Sequence, residues 1–143
     1  MSDEILTFKG TVYPWHCDHM GHMNVMWYVG RFDEATWHFL AEFGLSNEAF
    51  ESRNIGMAAL EQTVQYKREL HAGAQIEIWS RLISVTEKVI EFEHRMVNSN
   101  SRDDCAFIRN TAICLDRIER RGCKFPDEIY IRLRAGLEAA GHA

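Results

Sequence analysis

The sequence predicts an α+β fold: a five-stranded antiparallel sheet wrapped around one long central helix. Three observations predict it. A single segment, residues 24–43, carries helical apolar periodicity, whereas nearly everything after residue 57 alternates at the period of a strand. That helical segment is apolar on more than one face, through Met26, Val29, Phe32, Trp37, Phe39, Leu40 and Phe43. It therefore needs enclosure, which a curved sheet supplies. The only two prolines, Pro14 and Pro126, bracket the structured body.

The elements follow in order. Residues 5–13 alternate and carry β-formers, a first strand that stops at Pro14. Residues 14–23 read as a polar, histidine-rich loop. Asn24 can cap the helix, which starts about one turn after Gly21 and is ended by Gly44. Residues 46–54 read as a polar link. Four strands follow at 57–70, 75–87, 89–98 and 105–120. Clean alternation in Gln75-Ile76-Glu77-Ile78-Trp79-Ser80 implies one buried and one wet face, hence antiparallel pairing. Turn signals fall at His71-Ala72-Gly73 and from Asn98 to Asp103, and residues 127–140 can close the chain as a short helix. With no repeat or linker, residues 1–143 read as one domain. One helix covers only part of such a sheet, so a strand edge is left for a second copy to pair with.

Composition narrows the function. Apolar residues make up 46% and charged residues 26%, ordinary for a soluble globular protein. A net charge of −5 leaves no basic excess to neutralise phosphates, which argues against a general nucleic-acid binder. Residues 1–60 hold eight acids and three bases, and the remainder thirteen of each, so an anion site is expected in the second half or at a helix end. Cys17, Cys105, Cys114 and Cys123 form no CxxC pair and read as reduced thiols of a cytoplasmic protein. The N-terminal residues lack an apolar signal core. No run approaches the ~18 apolar residues of a membrane helix, so no membrane partner is expected.

Chemistry concentrates in Trp15-His16-Cys17-Asp18-His19-Met20-Gly21-His22-Met23-Asn24. An acid just ahead of a helix N-terminus can work with the free N–H groups there. One group meets a carbonyl carbon while the other holds the oxygen that becomes negative. Gly21 permits close backbone approach, Asn24 caps, and the amides of Val25 and Met26 point back toward the loop. His16, His19 and His22 recur every three residues and could be zinc ligands, but no distant cluster completes a site, so no metal is expected. His22, nearest the cap, suits orienting a loop or substrate, while His16 and His19 read as loop residues. Cys17 is a poor thiolate beside a carboxylate. Tyr28 reads first as core, with its hydroxyl one turn from Asn24 and able to border the same pocket. Arg117, Arg120, Arg121 and Lys124 crowd the end of the last strand, with Lys88 in a turn. They form a solvated edge, or a cation cluster suited to a pyrophosphate and a further phosphate.

Tyr13-Pro14 and the ten residues after them, followed by Tyr28 and Phe32-Asp33-Glu34-Ala35, resemble the 4-hydroxybenzoyl-CoA thioesterase-like branch of the hotdog-fold acyl-CoA thioesterases. Gln65-Tyr66-Lys67-Arg68-Glu69-Leu70-His71-Ala72-Gly73 resembles that family's lead into a long strand. The resemblance implies a hotdog fold and hydrolysis of an acyl-CoA to free acid and CoA, with no cofactor because CoA is part of the substrate. It places Asp18 as nucleophile or general base and the N–H of Val25 as the oxyanion donor, with His22 and Asn24 beside them. Gly21 and Tyr28 would border the substrate, and Lys88, Arg120 and Arg121 would contact CoA. It further implies a homodimer or homotetramer with the site at the subunit interface. The chain departs from the family pattern at Val25, where a second Asn is usual, at Glu69 in place of Pro, and at Ala74 in place of Asp. Two other functions compete. One is a hotdog enoyl-thioester hydratase or dehydratase, disfavoured by the short Asp18–His22 spacing. The other is a non-catalytic acyl-thioester binding protein, for which a carboxylate beside a carbonyl serves no purpose.

Overall fold

The alternating segments pair into a single curled antiparallel sheet. In the computed structural model, which describes residues 3–141, the long strands are β1 (Ile5–Thr11), β2 (Ile55–Tyr66), β3 (Gln75–Val85), β4 (Val89–Asn98) and β5 (Asp104–Asp116). They lie in the order β1-β3-β4-β5-β2, and a two-residue β6 (Arg121–Gly122) pairs with β5. Registers such as Ile78↔Met96 and Leu82↔Phe92 align the apolar side chains of neighbouring strands on one face. Helix α1 (Val25–Ala41) lies on that face, and α3 (Asp127–Ala139) adds Ile129, Leu133 and Leu137 to one end of the core. This is the hotdog arrangement, with α1 as the filling.

The core follows the stripe that α1 presents. Tyr28, Phe32 and Ala35 pack with Ile76, Ile78, Met96 and Ile108, while Phe39, Leu40 and Phe43 pack with Leu82, Ile90 and Phe92. Inside this apolar layer runs a short polar chain. The Thr36 hydroxyl donates to Phe32 O at 3.0 Å, so it accepts from His94 Nε2–H at 2.8 Å. His94 Nδ1 then accepts from the Ser80 hydroxyl at 2.5 Å, and Thr7 Oγ1 lies 2.8 Å from Ser80 Oγ. These bonds fix a neutral imidazole with its proton on Nε2.

Four expectations need correction. The link at 46–54 contains a helix, α2 (Asn47–Arg53), capped by Ser46 Oγ accepting from Ala49 N and closed by Asn54 in the left-handed region. With Phe50 as its only buried residue, it leaves no apolar period to detect. The strand expected to reach residue 70 ends at Tyr66, because Lys67 and Arg68 both donate to Cys105 O and turn the chain away. The strand expected to reach 120 ends at Asp116, whose Oδ1 accepts from Ile118 N and Glu119 N and so builds a turn. Finally, α1 is not largely enclosed: Val25, Met26 and Trp37 are exposed, since a single sheet face covers one stripe only.

Candidate active site

The loop between β1 and α1 is tied down at both ends. Val12 N donates to Ala74 O and Gly73 N to Val12 O, which anchors its start, and Pro14–His16 form a single 3-10 turn. Asn24 N returns to His16 O at 2.9 Å, and Cys17 and Met23 form an isolated antiparallel bridge. At the tip, Gly21 N donates to Asp18 O at 3.0 Å with Gly21 at φ +84°, a left-handed conformation. The segment after β2 holds the tip in place: Met23 N donates to Leu70 O at 2.7 Å, and His71 Nδ1–H to Gly21 O at 3.1 Å.

His16 proves to be the pillar of this loop and not an incidental member. It is buried, accepts from Tyr13 N at 3.0 Å and packs against the Trp27 ring at 4.5 Å. The Arg31 guanidinium lies 3.1 Å from its Nε2. Burial, with Arg31 adding to it, holds the His16 pKa below the ordinary histidine value. His19 is exposed, and His22 points Nε2 at Glu69 Oε2, 2.9 Å away. The three histidines therefore diverge. Among the described residues no three His, Cys, Asp or Glu side chains converge as a metal site.

Asp18 and the helix end are joined through one side chain. Asn24 Oδ1 accepts from Met26 N at 2.9 Å, the capping bond, while Asn24 Nδ2 donates to Asp18 Oδ2 at 2.7 Å. Asp18 Oδ1 also accepts from Met20 N at 2.9 Å. The bond from Asn24, then that from Met20, hold the Asp18 carboxyl below the usual carboxylate range. The N–H of Val25 meets no acceptor among the described residues. An ionised carboxylate and an unused helix N-terminal donor thus share one short segment.

Beside them opens a cleft of ≈ 190 Å³ between the start of α1 and the end of β2. Val25, His22 and Tyr28 line it from one side, and Tyr66, Lys67 and Arg68 from the other. The Tyr28 hydroxyl donates to Arg68 O at 3.1 Å and packs edge-on to Tyr66, and burial pushes its pKa up to about 12. It is a neutral wall that fixes the cleft's width. Lys67 and Arg68 are the cations at this mouth, and sequence reasoning missed them by treating residues 57–70 as uniform strand. Lys88, Arg120 and Arg121 lie elsewhere. Cys114 N donates to Lys88 O, and Arg120 N to Asp116 O, which places all three at the far end of β5. Cys105, beside the cleft, and Asp116 bracket that strand and are separated by roughly 35 Å of path at ~3.3 Å per residue. The structure does not bring those cations to Asp18 within one chain.

Gly21 supplies a first test. A Cβ there meets nothing within 4 Å, so Gly21→Ala introduces only the left-handed backbone cost, about 1–2 kcal/mol. The expected result is a similar loss of stability together with reduced turnover as the Asp18 turn relaxes, measured by thermal melting and steady-state kinetics on the same sample.

Comparison with known proteins agrees with the fold. A betainyl-CoA thioesterase of Pseudomonas aeruginosa is 24% identical over 139 residues, covering 97% of this chain and 87% of the relative. A hypothetical protein of Staphylococcus aureus solved in complex with CoA superposes with a TM-score of 0.89 at 18% identity, covering 97% of this chain and 87% of that one. A 1,4-dihydroxy-2-naphthoyl-CoA thioesterase from Synechocystis superposes with a TM-score of 0.78 at 15% identity, covering 90% and 95% of the two chains. The family model of the thioesterase-like superfamily matches residues 12–133, from the first residue of the Asp18 loop to the middle of α3. The chain belongs to the thioesterase-like superfamily.

Proposed function

We propose that this chain hydrolyses an acyl-CoA thioester to the free acid and CoA at the N-terminus of α1. The observation that carries the reading is the Asn24 carboxamide, which caps the helix with one atom and fixes Asp18 with the other. The thioester carbonyl sits over the first turn of α1, its oxygen toward the N–H of Val25. As the carbonyl carbon becomes tetrahedral, that donor holds the oxyanion, a contribution typically worth ~3–4 kcal/mol. Attack takes one of two courses. In the first, the Asp18 carboxylate bonds to the carbonyl carbon, the C–S bond breaks, CoA leaves as thiolate, and water then cleaves the resulting anhydride. In the second, Asp18 takes a proton from a water whose oxygen attacks the carbon, and the thiolate leaves in the same way. The bonds from Asn24 and Met20 keep the Asp18 carboxylate ionised, as both courses require. His22, paired to Glu69, and Gly21 position the loop, and Tyr28 borders the substrate.

Lys67 and Arg68 at the cleft mouth suit the phosphates of CoA. Lys88, Arg120 and Arg121 would meet a CoA held by another subunit. We read the assembly as a homodimer or homotetramer with the site at its interface. β1 and β2 are the two outermost strands; β2 is the longer, twelve residues, with Leu60 and Tyr66 exposed, and a second copy would cover that edge. Leu60→Lys is expected to halve the mass measured by light scattering; a monomeric native protein would contradict the assembly. Among the described residues no helix is long and apolar enough to cross a membrane. The four unpaired cysteines support a cytoplasmic setting.

The activity is tested by thiol release and product analysis with a panel of saturated, enoyl, aromatic and cationic acyl-CoAs, with betainyl-CoA included because the Pseudomonas relative is named for it. Hydrolysis of at least one member with acid and CoA formed in equal amounts is expected. Hydration of an enoyl-CoA without thiol release would favour the hydratase, and saturable binding of CoA esters with no turnover the binding protein.

A further inference from the structure

A second cavity, ≈ 220 Å³, opens between α1, α2 and β2, and neither the hydrolytic site nor the core accounts for it. Leu40, Phe50, Met57 and Phe92 make apolar walls, and Trp37, packed edge-on against Phe50, stands exposed at its side. Its lining also holds Asn110, a β5 residue only 3% exposed. Asn110 Oδ1 accepts from Gln62 Nε2 at 3.0 Å, but Asn110 Nδ2 has no hydrogen-bond partner among the described residues. A buried amide N–H₂ left unpaired is costly, and a carboxamide in the wall of an otherwise apolar cavity is where a ligand supplies the missing partner.

The partner's chemistry follows from the neighbours. Asp33 and Thr36 also line the cavity; Asp33 is exposed to solvent, and the Thr36 hydroxyl is already engaged by Phe32 O and His94. A hydroxyl can accept from Asn110 Nδ2 and keep its own proton toward the solvent side, whereas a methyl end leaves that buried N–H₂ unsatisfied. The position follows from the helix: Asp33 is eight residues beyond Val25, about 12 Å further along α1 at 1.5 Å per residue. Resting on the thioesterase reading above, we propose that this cavity receives the far end of the acyl group and that Asn110 selects acyl groups carrying a hydroxyl there. A medium-length chain reaches it from the Val25 of the same subunit; a short chain would reach it only from the Val25 of a second copy.

The experiment compares kcat/KM within two substrate pairs, octanoyl- against 8-hydroxyoctanoyl-CoA and butyryl- against 3-hydroxybutyryl-CoA, in the native protein and in Asn110→Leu. The hydroxylated member is expected to be preferred about tenfold or more in one pair, and Asn110→Leu to bring that ratio to one or below. Preference in the longer pair assigns the cavity to the same subunit's Asp18, and preference in the shorter pair to the second copy's. Asn110→Ala serves the same comparison if the leucine variant does not fold. Hydrolysis without preference in either pair, or a preference that survives both substitutions, overturns this inference alone. Absence of thiol release from every thioester overturns the hydrolase reading and this inference with it.

Discussion

Asp18→Asn is expected to lower kcat by at least roughly 10²–10⁴-fold while leaving the melting temperature and CoA binding close to native. The side chain keeps its shape and its amide oxygen can still accept from Met20 N, so the turn at Gly21 survives, while the bond from Asn24 Nδ2 is lost with a small fall in melting temperature. What disappears is the negative charge, which either bonds to the carbonyl carbon or takes the proton of water. An acid present only to brace the loop would give the opposite pattern, a lower melting temperature with turnover retained. The pH profile adds a second readout. The pKa of Asp18 is lowered by the bonds from Asn24 and Met20, so the active, ionised form persists through mild acid. Activity is expected to stay level from neutral pH down through the usual carboxylate range and to fall only below it. Asn24→Ala removes the larger of those two bonds, so the acid limb of its profile should move upward.

Acid unfolding is expected to be controlled by His94. Its ring is buried among Phe32, Phe39 and Phe92, and burial lowers its pKa to about 3. The groups it meets are the hydroxyls of Thr36 and Ser80, neither of them charged. In the unfolded chain the ring titrates near the ordinary histidine value of about 6.5, so between the two values the unfolded state binds a proton that the folded state excludes. Stability is therefore complete above the unfolded pKa and declines as pH falls toward the folded one, by an amount on the order of several kcal/mol. Denaturant melts at intervals from pH 7 to pH 4 should show that decline. His94→Gln should flatten it while costing some stability at neutral pH through altered bonds to Thr36 and Ser80. An equal acid dependence in the variant would assign the effect to other groups.

The elements with long, clean periodicity were legible in the sequence, and so was the acid at the helix end. Alternation across β3 and β4 gives their extents closely, because one face is buried and a single-residue slip would expose it. Asn24 is legible as a cap because side-chain chemistry is local at a helix start. Its second bond, to Asp18 six residues earlier, depends on how the loop closes and is not local. The same holds for His16, whose role comes from Arg31 and Trp27 on the following helix. Lys67, Arg68 and Asn110 escaped for a related reason. Their importance lies in which cavity the sheet's curl turns them toward, and alternation records only which side they face. The cations at Arg120 and Arg121 illustrate the converse, since their chemistry suits a phosphate but their strand carries them to the other end of the sheet.

The central claim, that a thioester carbonyl is held at the start of α1 within reach of Asp18, is tested most directly by a crystal structure with a non-hydrolysable acyl-CoA analogue. An analogue with the sulfur replaced by methylene keeps the carbonyl and cannot release a thiol. The account predicts its carbonyl oxygen at hydrogen-bond distance, about 3 Å, from the N–H of Val25, with the Asp18 carboxylate facing the carbonyl carbon. A carbonyl seated away from the helix end, with Asp18 still bonded to Asn24 and turned from the ligand, would contradict it.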